Sequence, residues 1–372
     1  MKSLTSEELR RIRMASQGLR DRASTTVAGA ARRSGGIQAQ AAGPARLAVR
    51  ARTTGLVAAD VDDACATPTV VRSWLMRSTL HMVAAEDLRW LLSLFGPANL
   101  RLGRRRRDQL ALTDDLCERA LAAIGSVLAG RRALTRAQLV AELVDHGVVI
   151  DPKTQAPAHL LLYAASQGLV CRGPEADSDE PTYVLVDDWL GPDRRLMHRD
   201  EALAELAVRY FAAYGPATVA YFAAWSGLPV ADCRRGVDEA RPELAQVASG
   251  DEVLFTLCDT RLPAGSEGEG GTRLLGRFDA YLLGHRSRGL VLDPGYAERV
   301  NAGGGMIAPV IVVDGRVVGT WRLDRSRKVA RFVLDPFAGP TGLPEDGLDA
   351  EVADLARFLG LEDYERTTAQ RR

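Results

Sequence analysis

The chain has 372 residues, 46% of them apolar and 26% charged, with 48 basic and 48 acidic side chains in balance. That length suits two or three folding units with a sizeable core, and no apolar run reaches the ~18–20 residues of a membrane span. The N-terminus, MKSLTSEELRRIR, lacks the apolar stretch of a secretory signal, and five scattered cysteines (Cys65, Cys117, Cys171, Cys233, Cys258) without a CxxC pair argue against a disulfide framework or zinc site and fit a reducing cytoplasm.

The neutral total hides an asymmetry. Residues 1–110 carry 18 arginines and one lysine against nine acidic residues, a local net of +10 offset by −10 in the remainder. The arginine guanidinium is a planar fork that meets a phosphate with two parallel hydrogen bonds. A GC-rich coding sequence would also favour arginine over lysine, but it does not account for the clustering.

In chain order, Thr5 and Glu8 have capping-box spacing, with Leu4 and Leu9 as the staple, and open a helix through Arg20. After Ser34-Gly35-Gly36-Ile37-Gln38-Ala39-Gln40, Pro44 starts a second helix and Asp60–Ala66 a short third. Val70–Val83 reads as an extended or hairpin segment, and a helix from Glu86 ends near Gly96-Pro97. A second unit opens at the capping box Thr135/Gln138, with Leu139, Val140, Leu143 and Val144 as its buried stripe and Gly147 as its stop. A helix at 156–167 and strands at 168–172 and 183–186 follow. Helix, turn, helix, then hairpin is the winged-helix order. A third unit repeats it with helices at 202–214, 219–225 and 231–240 and strands at 244–247 and 253–257. Arg261–Gly271 is Gly- and Glu-rich and reads as a mobile loop. Beyond it the chain is mainly β, with a hairpin across Asp314-Gly315, a strand at 329–334 and a closing helix at 349–359. The expected fold class is α+β: tandem winged-helix units at 1–110, 111–195 and 196–260, then a β-rich portion at 261–372.

No P-loop, dinucleotide fingerprint, HExxH, GxSxG or zinc-deaminase motif is present. The five histidines are dispersed, so no metal site and no cofactor are expected. Arg104 and Arg105, within Arg101–Arg107, could track a phosphate backbone; the bland alternative is a solvated helix face. Arg72, Arg77, Thr79 and His81 lie on the first wing, and on a strand the last three share one face. That face suits phosphate or groove contact, or is an ordinary polar outer face. His285, Arg286 and Arg288, between the apolar runs 281–283 and 290–292, could form a basic hairpin tip or a solvated turn.

Together, Gly36–Gln40, Arg77–Val83, Tyr214–Thr218 with Trp225-Ser226-Gly227, and the run from Phe278-Asp279 to Gly319 resemble the AlkZ- and YcaQ-type winged-helix DNA glycosylases over most of the chain. The resemblance implies a C-shaped array of winged helices around a basic channel. It also implies hydrolysis of the N-glycosidic bond of N7-alkylated purines, including bulky adducts and interstrand crosslinks. The family signature Gln–apolar–Gln/Asp falls on Gln38-Ala39-Gln40, the Gln form, which in the family accompanies self-resistance of antibiotic producers. Gln38 and Gln40 are thus the expected catalytic pair. Residues i and i+2 diverge by about 200° on a helix, so an irregular or helix-terminal setting after Gly35-Gly36 is expected.

The expected function is a metal-independent, monomeric, cytoplasmic DNA glycosylase acting on double-stranded DNA with alkylated bases. The alternative is a non-catalytic winged-helix transcriptional regulator, since fold alone does not fix function.

Overall fold

A computed structural model describes residues 2–130, 132–176, 180–192, 197–260, 271–301, 303–325, 329–339 and 343–369. The loop expected at 261–271 lies, but for Gly271, outside them.

The N-terminal capping box forms: the Glu8 amide donates to Thr5 Oγ1 and the Thr5 amide to the Glu8 carboxylate, opening α1 (Ser6–Ser16). Leu4, Leu9 and Ile12 pack with Val247 and Leu254, so this helix covers the third unit rather than the first.

One order of elements then occurs three times: a helix, a short extended segment, two helices and a hairpin. First come α2 (Val27–Arg33), β1 (Ile37–Gln38), α3 (Ala42–Arg50), α4 (Ala58–Ala66), β2 (Val70–Trp74) and β3 (Leu80–Ala84), with β1 antiparallel to β3. The long α5 (Leu88–Gln109) leads to α6 (Asp114–Leu128), β4 (Leu134–Thr135), α7 (Arg136–Asp145), α8 (Ala156–Ser166), β5 (Val170–Ala176) and β6 (Glu180–Leu185), with β4 on β6. After α9 (Val186–Leu190) come α10 (Arg199–Tyr214), α11 (Val219–Ser226), α12 (Val230–Glu239), β7 (Leu244–Ser249) and β8 (Glu252–Leu257). Here Ala217 bridges Phe255 where the other units have a short strand. The first two units share one sheet, ordered β1-β3-β2-β5-β6-β4 and joined where Arg72 meets Arg172.

The C-terminal portion contains β9 (Thr272–Leu275), α13 (Ala280–Leu283), α14 (Ala297–Val300), β10 (Val310–Val313), β11 (Arg316–Arg325), β12 (Ala330–Pro336), α15 (Glu345–Leu359) and β13 (Tyr364–Thr368). Its sheet runs β13-β12-β11-β10-β9. Leu348, Val352 and Leu355 of α15 cover it, packing on Ile311, Trp321 and Phe332. The whole is a mixed α+β fold.

Several local expectations differ. The helix expected to stop at Gly96-Pro97 continues to Gln109. Proline removes one backbone donor, but Leu91, Leu94 and Phe95 are buried and Gly96 lies so close to Ser166 that a Cβ would sit 2.3 Å from its carbonyl oxygen. Packing against α8 overrides the local stop. Val144, expected in the buried stripe of α7, is exposed. Residues 281–283 and 290–292 form no hairpin: α13 and turns stand there.

Candidate functional site

Gln38 ends β1 and Gln40 follows it in the bend before α3; the strand is entered through two left-handed glycines, Gly35 (φ +61°) and Gly36 (φ +101°), a conformation that side chains resist. Space is also tight: a Cβ on Gly36 would lie 3.2 Å from Met76 Cε and 3.3 Å from Val83 Cγ1, so both side chains would have to give way. The register pairs Ile37 with Met82 and Gln38 with His81. Ile37 and Ala39 face a core with Val49 and Met82, which leaves Gln38 and Gln40 together on the opposite side. Gln38 Nε2 donates to Gln40 Oε1 at 2.6 Å. Gln38 is half-buried and Gln40 exposed, two residues before α3 begins. In place of the irregular or helix-terminal setting expected for both, Gln38 closes a two-residue strand and Gln40 stands in the irregular bend just before α3.

The face bearing Gln38 continues across the sheet through His81 and Ser73. Val71 and Val83 on the same face join Tyr214 and Trp225 of the third unit in one core. The Tyr214 hydroxyl donates to the Ser34 carbonyl at 2.6 Å, buried, and a Cβ on Gly35 would lie 3.3 Å from Trp225. Gly284 lies against the Tyr214 ring, with no room for a Cβ, and His285 Nε2 lies 2.9 Å from the Tyr214 carbonyl. Just past α3, fully buried Arg52 makes a bidentate pair with fully buried Asp279 at 2.9 and 2.8 Å, and also donates to the Ala48 carbonyl and Gln17 Oε1. Burial alone would lower the Arg52 pKa, yet the facing carboxylate outweighs it and raises it. The segments around 34–40, 76–83, 214–227 and 278–285 therefore pack against one another, with Tyr214 between the first and the last. Sequence reading quoted Asp279 without its role and missed Arg52; a charge pair 227 residues apart leaves no local signal.

The other candidates separate into buried and accessible groups. His81 is buried, its Nδ1 donating to the Thr79 carbonyl at 2.9 Å, and burial lowers its pKa to about 4. It is neutral near pH 7 and offers no charge to a phosphate. Thr79 donates to the Met76 carbonyl at 3.0 Å. Arg77 does not share a strand face with these two as expected: it and Ser78 are left-handed (φ +52° and +58°) in the turn before β3. Arg77 packs on Gly227, and its Nη1 is buried without a partner. Arg72 is buried and ion-paired with Glu175, so it is not free to meet a phosphate. Arg104 and Arg105 are exposed on α5, beside Arg101, while Arg107 turns inward over the Tyr163 ring at 4.8 Å. His285 is half-buried, with its pKa pushed well down by burial. Arg286 is exposed; Arg288 braces its own loop, donating to the Leu282 carbonyl at 2.8 Å and to Asn301 Oδ1 at 2.5 Å. Among the described residues no group of three or more His, Cys, Asp or Glu side chains is placed to hold a metal.

The family model described as DNA glycosylase AlkZ-like matches residues 31–358. A relative from Streptomyces sahachiroi named interstrand DNA cross-link repair glycosylase is 29% identical over 358 residues, spanning 94% of this chain and 95% of its own. The solved structure of Streptomyces sahachiroi DNA glycosylase AlkZ superposes with a TM-score of 0.84 at 28% identity, covering 99% of this chain and 100% of the other. The chain therefore belongs to the AlkZ-like family of DNA glycosylases.

Proposed function

We propose that this glycosylase hydrolyses the N-glycosidic bond of N7-alkylated purines in duplex DNA, including bulky adducts and interstrand crosslinks, and that Gln38 and Gln40 carry the chemistry. The observation behind this is that the two side chains meet, amide to amide at 2.6 Å, between the end of β1 and the start of α3. The relative's name supplies the crosslink context.

Alkylation at N7 makes the base cationic and a good leaving group, and C–N cleavage passes through an oxocarbenium-like state. A glutamine amide does not take a proton at pH 7, so neither side chain is a general base. With Gln38 Nε2 turned to Gln40, the Gln38 carbonyl oxygen remains to orient a water and to place negative dipole near the developing positive charge. General base catalysis would add about 10²–10⁴-fold, which an activated substrate can forgo. Unmodified purines should be inert.

The three helix–strand–helix–helix–hairpin units are read as winged helices, arranged as a C around the duplex, in which Arg104, Arg105 and Arg286 are the accessible phosphate contacts. Arg77, at the turn between β2 and β3, is a further contact in this reading, made with the part of its side chain that Gly227 does not cover. Arg72 and His81 then support the strand instead of touching DNA.

The test is base release from a duplex carrying one N7-alkylguanine, with EDTA present, comparing wild type with the variant Gln38→Ala/Gln40→Ala after confirming that both bind the duplex. Release above the spontaneous rate by wild type alone is expected. Equal release from both would remove the glutamines from the mechanism. No release from either, across small and bulky adducts, would overturn the substrate assignment.

A further inference from the structure

On the side where α1 meets the C-terminal portion lies a pocket of about 370 Å3 whose walls include Leu290, Val291, Leu292, Val317, Tyr296 and Phe337. Arg10 and Arg316 line it together. Their proximity follows from the Asp314-Gly315 turn, where Gly315 (φ +76°) lets α1 approach until a Cβ there would be 2.8 Å from Arg10 Cβ. Arg10 is only 7% exposed. Its Nε has no hydrogen-bond partner, and its Nη1 reaches the Leu290 carbonyl only at 3.5 Å. Arg316 is exposed, and no carboxylate among the described residues pairs with either guanidinium. The nearest acid on the pocket wall, Asp293, is engaged by the Gly295 amide at 2.8 Å.

Two guanidiniums of like charge side by side, one of them buried with an unmet donor, are costly to hold together unless an anion joins them. The apolar and aromatic wall beside them suits an uncharged planar body. We propose that this pocket binds a small molecule with one anionic group on an aromatic ring, an aryl phosphate or aryl carboxylate. Arg316 and Arg10 grip the anion, and the ring lies on the wall formed by Leu292, Tyr296 and Phe337. A duplex phosphate is the poorer fit, because Arg10 is recessed where a backbone does not reach. The site is separate from β1 and does not depend on the substrate assigned above.

The experiment is titration calorimetry of the full chain with phenyl phosphate, benzoate and inorganic phosphate, in wild type, Arg316→Gln and Gly289→Phe. Gly289 sits at the pocket wall, and a Cβ there would meet only Ser287 Oγ at 3.6 Å, so a large side chain beside the pocket mouth meets no core atom at its Cβ. Expected is one-to-one binding of an aryl anion, at least about tenfold tighter than inorganic phosphate. Arg316→Gln should weaken it about tenfold or more and Gly289→Phe should abolish it, with duplex affinity and base release unchanged. Which of phenyl phosphate and benzoate binds tighter distinguishes the two anions. The proposal is overturned if neither aryl anion binds, if both bind no better than inorganic phosphate, or if both variants bind as wild type does. Loss of duplex affinity in Arg316→Gln without aryl-anion binding by wild type would assign the arginine pair to the DNA backbone instead.

Discussion

Replacing Asp279 with Asn should destabilise the protein severely while leaving its local turn intact. Both Asp279 and Arg52 are 0% exposed, and their two hydrogen bonds are short and parallel. The Asn side chain still offers an oxygen to the Tyr281 amide, from which Asp279 now accepts at 2.9 Å, so the cap of α13 survives while the charge is lost and the amide nitrogen in place of Oδ2 can no longer accept from Arg52 Nη1. Arg52 is then a buried cation without a counterion, a change that costs about 3–5 kcal/mol. With an unfolding slope near the upper end of ~1–3 kcal/mol per molar urea, the midpoint should fall by about 1 M or more. Urea unfolding followed by circular dichroism measures this directly. The double variant Arg52→Met/Asp279→Asn, which removes both charges, stays close to the original volumes and keeps the acceptor for the Tyr281 amide, should recover part of the loss. A midpoint within about 0.3 M of wild type for Asp279→Asn, or a double variant as unstable as the single, would refute the view that this pair holds the C-terminal end of α3 by charge compensation.

Gly36→Ala forces a side chain into a left-handed position against Met76 and Val83; a cost of about 1–3 kcal/mol is expected, with base release falling more than duplex affinity, and unchanged release would show that β1 tolerates displacement. Stability should also fall on acidification. His81 titrates near its ordinary value of 6.5 when unfolded but at about 4 when folded, so the unfolded chain takes up the proton first. The stability contributed by neutral His81 is full above pH 6.5 and lost as pH falls towards 4, about 3 kcal/mol in all. His285, lowered by burial, acts in the same direction; urea midpoints that stay level from pH 7 to 4.5 would contradict both. Arg104→Gln/Arg105→Gln should reduce the slope of log affinity against log salt by about 1–2 on any duplex sequence, and an unchanged slope would leave that helix face to solvent.

Much of the local architecture was legible because short-range physics specifies it. Capping boxes at Thr5/Glu8 and Thr135/Gln138 form with the expected partners, and the Asp314-Gly315 turn joins β10 to β11. Where packing opposed local preference, packing prevailed: α5 runs through Pro97, and the basic segment 284–289 follows a short helix rather than capping a hairpin. The parallel strand β13 beyond the closing helix had no turn signal to announce it, since its pairing with β12 is made only across α15.

By itself the sequence singled out the short segments that the fold then packs together: Gln38-Ala39-Gln40 after two glycines, Arg77–His81, Tyr214–Gly227 and Phe278-Asp279. What the tertiary structure alone decided is their availability. It turned both glutamines to one side through the Gln38–His81 register, buried His81 as a neutral group, used Arg72 and Arg52 in ion pairs, and left Arg104, Arg105 and Arg286 exposed. The physical reason is that an ionisable side chain carries the same covalent structure wherever it lies, while burial and the distance to a countercharge decide whether it is free to meet a ligand.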